Sequence, residues 1–253
     1  MLLVFLGLTT LSFMAKDGVV LRLKPQQGKT YTITSKASMM TVMEVQGQSM
    51  NQTQVIETRQ TFTPKTVTDA QSELETQVEA IKLSLSQMGM KLEYDSEHPE
   101  KTSPMLAGQT REMEKYLNTP ITATYDALGN LVGDSIDMEM NLLNSAIVEL
   151  PDQELSVGST WNCSKKQNIN GMKIDVKMDY TVTAISKKSV DVSFTGTIES
   201  KDIDGTYEGT ASLNPQTGLI SKSSTKSNVS MTVNEQGLTI PMTLVGNTTV
   251  EVK

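Results

Sequence analysis

Apolar and polar residues alternate along this chain. From Met172 to Ala184 the even positions carry Met172, Ile174, Val176, Met178, Tyr180, Val182 and Ala184, while Lys173, Asp175, Lys177, Asp179, Thr181 and Thr183 lie between them. Successive side chains of a strand point to opposite faces, so this pattern predicts a β-strand with one buried face. Val190, Val192, Phe194 and Ile198 repeat it, as do Leu238, Ile240, Met242, Leu244, Val250 and Val252. Asn170-Gly171, Lys187-Lys188, Asp204-Gly205 and Gln236-Gly237 punctuate the runs, and Asn-Gly and Asp-Gly favour tight hairpins. The expectation is a meander of about six strands from Thr160 to Val252.

The first half begins in the same way. Tyr31, Ile33, Ala37, Met39, Met43 and Val45 fall on odd positions, a turn follows near Gln46-Gly47, and a return strand runs from Ser49 to Phe62, broken at Pro64. Leu74, Val78 and Ala80 keep one parity, and Ile81, Leu83 and Leu85 keep the other. That switch predicts a β-bulge near Ala80. A short strand over Met90-Lys91-Leu92-Glu93-Tyr94 comes next. Two stretches leave the β rhythm. Residues 103–118 place Met105, Leu106, Met113, Tyr116 and Leu117 at helical spacing behind an N-cap Ser103 and Pro104. Residues 137–150 do the same with Met138, Leu142, Leu143, Ile147 and Val148, closed by Pro151, and Pro151-Asp152-Gln153-Glu154 looks like a hinge between two units.

The two units share landmarks. One opens on Gly28-Lys29-Thr30-Tyr31 and closes on a strand, a turn at Gly129 and Leu131-Val132. The other opens on Gly158-Ser159-Thr160-Trp161 and closes on a strand, a turn at Gly218 and Leu219-Ile220. The predicted organisation is a leader over 1–15, an N-terminal β unit over 16–150 with the two helices, and a C-terminal β meander over 151–253, together one continuous domain. Strands this long, with one apolar face, must curl over something to cover that face. The expected fold is mainly β: a long antiparallel meander curved into a half-barrel or open barrel with two short helices, the alternative being a two-sheet β-sandwich. An outer-membrane barrel also alternates, but needs aromatic girdles, and aromatic residues make up only 4% of this chain.

Composition narrows the chemistry more than the fold. The net charge is −7 with Lys and Arg scattered, which leaves no basic stripe for nucleic acid. Residues 1–14 are almost wholly apolar, too short to span a membrane and of the length of a signal-peptide core, so an exported protein, periplasmic or secreted, is expected. The single Cys163 allows no internal disulfide. The single His98 lies in a predicted loop, and no zinc, serine-hydrolase or phosphate-loop spacing is present. No enzyme activity, catalytic residue, metal or cofactor is therefore expected. Methionine is plentiful, at 16 residues, and falls mostly on apolar parities, where it serves as adaptable filler. A curved sheet with helical lids encloses space, which points to a Met-lined site for a lipid or other apolar ligand. The predicted contacts are Met105, Leu106, Met113, Leu117, Met138, Leu142 and Ile147 on the two helices.

Two blocks carry a family resemblance. Leu150-Pro151-Asp152-Gln153-Glu154-Leu155-Ser156-Val157-Gly158-Ser159-Thr160-Trp161, and the earlier Leu23-Lys24-Pro25-Gln26-Gln27-Gly28-Lys29-Thr30-Tyr31 with its Thr/Met/Gln-rich hairpin, resemble an uncharacterised family of exported Gram-negative proteins classed as a domain of unknown function. The resemblance implies export and a β-rich fold, and brings no activity or catalytic residues. In architecture alone, the expected fold is similar to the half-barrels of periplasmic lipoprotein carriers. The combined expectation is a non-enzymatic β protein of the cell envelope that binds an apolar ligand or a protein partner. The alternative is a structural or surface-interaction protein with no ligand, and a hydrolase stands further off.

Overall fold

A computed structural model describes residues 18–45, 47–133, 146–169, 172–235 and 238–253. The alternating runs become twelve strands of one antiparallel sheet: β1 (Tyr31–Val45), β2 (Gln48–Val67), β3 (Gln71–Gln87), β4 (Met90–Asp95), β5 (Ile121–Asp126), β6 (Leu131–Val132), β7 (Thr160–Ile169), β8 (Met172–Ile185), β9 (Val190–Glu199), β10 (Ile203–Leu213), β11 (Ile220–Glu235) and β12 (Leu238–Val252). Their order is β6-β5-β3-β2-β1-β12-β11-β10-β9-β8-β7, with β4 paired to the far part of β3. The C-terminal meander returns so that β12 pairs with β1 and joins the halves. β6 and β7 end the path without pairing to each other, so the sheet is mainly β, single and unclosed.

The sheet is curved, and the core shows it. Eight strand steps separate β5 from β8, roughly 38 Å in a flat sheet at about 4.8 Å per step. Yet Ala123 and Tyr125 of β5 belong to the same buried cluster as Tyr180 and Val182 of β8. What fills the space between them is a pair of irregular straps, residues 18–24 and 146–155, carrying the fully buried Leu21, Leu23 and Leu155 and the nearly buried Leu150. The straps touch through a bridge between Val19 and Leu155. Each is sewn to the sheet by its backbone: Leu23 N–H donates to Ala127 O at 2.8 Å, Lys24 N–H to Thr217 O at 2.9 Å, and Leu150 N–H to Leu128 O at 2.8 Å.

These straps correct two sequence expectations. A helix over 137–150 cannot reach its expected end, because residues 147–150 are irregular. Their polar groups are committed elsewhere, Leu150 N–H to Leu128 and Glu149 O to the Trp161 indole at 3.0 Å. The rest of that helix lies outside the described residues, as does the leader. Nor is 151–154 a free hinge, since Pro151 is buried and Arg22 pairs with Asp152 across the straps. Over 103–118 the structure holds a single 3-10 turn, Pro104–Leu106, running into α1 (Ala107–Glu114). β2 does not break at Pro64 but continues to Val67. The missing N–H of Pro64 is absorbed by a register shift between Pro64 and Thr66.

Other expectations are met residue by residue. Arg59 pairs with Ala80 and Gln60 with Val78, which leaves Glu79 as the extra residue of a bulge where the parity switches. The residues that open and close the two halves have similar local geometry. Tyr31 stacks on its cross-strand partner Phe62 at 4.7 Å and 7°, and Trp161 on its partner Tyr180 at 4.8 Å and 9°. At the closing turns, Gly129 has φ +82° and Gly218 φ +69°, and each abuts a strap. An added Cβ would stand 2.4 Å from Val148 O at Gly129 and 2.4 Å from Arg22 O at Gly218.

Candidate functional site: the inner face of the sheet

Strand register places side chains in rows across the curved sheet. Nearest the straps, Ile33, Phe62, Leu74, Val190 and Leu213 form a fully covered core. Further along, β1, β2, β11 and β12 remain paired without register shifts between β1 and its two neighbours or between β11 and β12, so the same face continues. One row runs Ile56–Ala37–Thr248–Thr225–Gly209, the next Gln54–Met39–Gly246–Ser227–Tyr207, and the next Gln52–Thr41–Leu244–Val229–Gly205. The last aligned row is Met50–Met43–Met242–Met231–Ile203.

Two properties set this stretch apart. Most of its side chains are half-buried, neither solvated nor covered like the strap core. Not one position in these four rows is charged, whereas the opposite face of the same strands carries Lys36, Glu57, Glu208, Lys226 and Glu251. An uncharged, half-covered surface on a curved sheet is a candidate site for a ligand with apolar parts. Large neighbours lie across glycines of this face and of its continuation onto β9. Phe194 Cζ would be 2.5 Å from a Cβ at Gly209, and Met178 Sδ 2.2 Å from one at Gly196. Local alternation marks which side chains of β1 and β12 share a face, but not which of them stand in one row. The strand pairing brings them together.

The face also carries uncharged polar side chains, among them Gln52, Gln54, Thr41, Ser227 and Thr248, and toward the straps some of them bond to one another. Ser35 and Thr58 hydroxyls share a 2.7 Å hydrogen bond, and the Gln60 amide N–H donates to Thr58 Oγ1 at 3.3 Å. Gln60 is buried, and its Oε1 has no partner.

The ligand contacts expected on the helices divide. Leu106, Met113 and Leu117 come together, but they pack on Val78, Ile81, Leu83 and Tyr94 as a small satellite core beneath α1. Met105 points to solvent at 71% exposure. Ile147 packs on the strap core instead. Met138 and Leu142 lie outside the described residues.

Outside this face the chemistry is ordinary. On the outer face Arg59 bonds Glu79 at 3.1 Å and Glu97 at 2.9 Å, and Lys82 meets Asp95 at 3.2 Å. The Arg59 guanidinium, with help from Lys82, holds the Glu97 carboxyl below its ordinary range. A hollow of about 360 Å³ lies among these charges, lined by Lys36, Glu57, Arg59, Lys82, Glu97 and Glu251. His98 is half-exposed beside Glu100. At the other end, burial first and the Glu149 carboxylate second push the Cys163 thiol up to about 11. Among the described residues, no three His, Cys, Asp or Glu side chains group as metal ligands. No described helix is long and apolar enough to cross a membrane.

Comparison with known proteins bears on fold more than on activity. Residues 140–220 match the model of a family of unknown function, DUF6263. Within the described residues that stretch includes the second strap, β7–β10 and the Gly218 turn. No curated protein matches the sequence. Among solved structures, a lipovitellin chain, described for its lipid–protein interactions, superposes with a TM-score of 0.60 at 11% identity, over 90% of this chain and 25% of that one. The chain thus spans a quarter of the lipovitellin chain, and the likeness is one of fold. The translocator domain of the autotransporter NalP from Neisseria meningitidis aligns at 8% identity over 88% of each chain, with a TM-score of 0.25. A domain described as an outer-membrane lipoprotein-sorting protein from Vibrio parahaemolyticus aligns at 10% identity over 84% of this chain and 83% of that one, with a TM-score of 0.17. Those two scores are too low to carry an argument about shared fold.

Proposed function

We propose that this protein binds an apolar ligand, a lipid or lipid-like molecule, along the inner face of its sheet, and that it does so in the cell envelope without catalysing a reaction. One observation carries the reading: four consecutive cross-strand rows of uncharged, mostly half-buried side chains on a curved, unclosed sheet. A sheet face that were simply core would be covered, as it is beneath the straps. A face that were simply surface would carry charge, as the outer one does. The lipovitellin likeness is in keeping with this, because that structure is described for its lipid–protein interactions. The apolar leader motivates the envelope assignment.

The test is ligand retention and its disruption from inside and outside. Protein purified from an envelope fraction and sprayed natively is expected to carry one bound lipid per chain. After delipidation, it should take up a fluorescent fatty acid. Leu244→Lys puts a charge on the inner face and should weaken uptake by at least about tenfold, since a buried unpaired charge is strongly disfavoured. Val245→Lys, one residue on and exposed on the outer face, should leave uptake unchanged. Absence of lipid together with no uptake by the parent protein overturns the ligand reading and leaves a protein-interaction role.

A further inference from the structure

The last aligned row of the inner face holds four methionines side by side on four neighbouring strands. Met43 of β1 pairs with Met50 of β2 on one side and Met242 of β12 on the other, and Met242 pairs with Met231 of β11. All four are half-buried. Directly opposed residues have Cβ atoms only about 4.5–5.5 Å apart, and a methionine side chain has three rotatable bonds with which to swing its sulfur toward a neighbour's. The sequence puts these residues in two separate hairpins nearly 200 positions apart, and only the β1–β12 junction makes them one row. We propose that this row is a thioether site for a soft monovalent cation, with Cu(I) as the metal it suits.

The chemistry of the surroundings favours that assignment. Thioethers are soft, neutral donors that select Cu(I) over harder ions. The neighbouring row, Gln52–Thr41–Leu244–Val229, offers no carboxylate, imidazole or thiol to compete, and Ile203 ends the methionine row beside Met231. Half-burial leaves an entry path while limiting water at the sulfurs. An apolar floor that needed only plasticity would be served by methionines scattered through it. Four in one row place each sulfur within reach of the next, which scattering does not. The proposal stands apart from ligand binding on the same face, because it concerns sulfur and not apolarity.

Leucine separates the two. Met→Leu keeps size and apolar character and removes the donor. Under reducing conditions the full chain is titrated with Ag(I) as a redox-inert probe and with Cu(I) against a chromophoric chelator. The parent protein is expected to bind one ion per chain, shared between adjacent methionines of the row, since the end strands lie about 14 Å apart, too far for Met50 and Met231 to meet on one ion. The variant Met43→Leu/Met50→Leu/Met231→Leu/Met242→Leu should lose at least about a hundredfold in affinity, while its circular dichroism stays that of the parent. A control, Met40→Leu/Met88→Leu/Met105→Leu, removes three exposed thioethers elsewhere and should change nothing. Thioethers release no proton on binding, so affinity should stay flat between about pH 5 and about pH 8, where histidine or thiol ligands would make it rise. Zn(II) should not bind. If the fourfold variant fails to fold, methyl-¹³C-methionine spectra of the parent decide the matter, with the four row methyls expected to shift on Ag(I) addition and the exposed three to stay. No binding by the parent, equal binding by the leucine variant, or shifts confined to exposed methionines overturns the proposal.

Discussion

Gly218→Ala and Gly28→Ala form a matched pair that tests how the straps hold the sheet closed. Both glycines have left-handed backbones, with φ +69° at Gly218 and +73° at Gly28. Alanine in that region costs about 1–2 kcal/mol, partly offset by the lower entropy of the unfolded alanine chain. Gly28 has nothing within 4 Å of the added methyl, so its variant should lose about 1 kcal/mol and no more. At Gly218 the methyl would sit 2.4 Å from Arg22 O, 2.7 Å from Arg22 C and 2.9 Å from Leu150 Cδ1. Two of these atoms are backbone and cannot rotate away, so the first strap must lift. Lifting it breaks the Lys24 N–H to Thr217 O bond of 2.9 Å and loosens Leu150 from the core. An unsatisfied buried backbone group costs about 1–3 kcal/mol, which brings the expected loss at Gly218 to about 3–4 kcal/mol. At about 2–4 °C per kcal/mol for a chain of this size, melting should fall by roughly 10 °C. Urea unfolding followed by the fluorescence of Trp161, the single tryptophan, which bonds to a strap carbonyl and stacks on Tyr180, gives both free energies. Gly129→Ala should resemble Gly218→Ala, because its methyl meets Val148 O of the second strap. The double variant should fall short of additivity, since the two straps are bridged at Val19 and Leu155. If Gly28→Ala and Gly218→Ala agree within about 0.5 kcal/mol, the straps are not what closes this end of the sheet.

Two other outcomes are expected. With its thiol pushed up to about 11, Cys163 should react with iodoacetamide at about pH 8 some two orders of magnitude more slowly than an unperturbed thiol, and at the unperturbed rate once urea unfolds the chain; equal rates in folded and unfolded protein would contradict its burial beside Glu149. Leu106→Ala should cost about 2–5 kcal/mol, because Leu106 is buried in the satellite core, while Met105→Ala next to it should stay within about 0.5 kcal/mol of the parent in the same urea titration.

The strands could be read from the sequence because their signals are local. Alternation from Met172 to Ala184 says strand without reference to any partner, and the parity switch at Ala80 says bulge. The straps gave no such signal. Leu21 and Leu23 sit in a short irregular lead-in, and Leu150 and Leu155 flank a segment whose Pro and acidic residues suggest a hinge. They are among the most buried residues because of bonds made to turns far away in sequence, such as Lys24 to Thr217. The surroundings of the expected contacts were hidden for the same reason. Apolar helix faces at 103–118 look available when the sheet beneath them is unknown, yet Leu106, Met113 and Leu117 are used to cover Val78, Ile81 and Leu83. The rows of the inner face exist only once β1 is known to pair with β12.

Every long strand in the middle of the sheet passes from a closed end to an open one, and its residues change accordingly. On β1 the inward sequence is Tyr31, Ile33, Ser35, Ala37, Met39, Thr41, Met43, from fully buried aromatic and β-branched residues to half-buried methionine and threonine. β12 runs the same course from Val250 through Thr248 and Gly246 to Leu244 and Met242. Were the inner face one uniform core, the stiff, strand-favouring side chains of the closed end would serve throughout. The shift to small, polar-uncharged and flexible residues, without any charge, fits a surface shaped for contact with something other than the protein itself. Stability and binding are therefore separable along a single strand. Substitutions toward Tyr31 and Val250 are expected to act on folding, while those toward Met43 and Met242 should leave the fold intact and act on the proposed binding, and a chain that kept its fold while losing lipid binding after changes at the open end alone would locate function there.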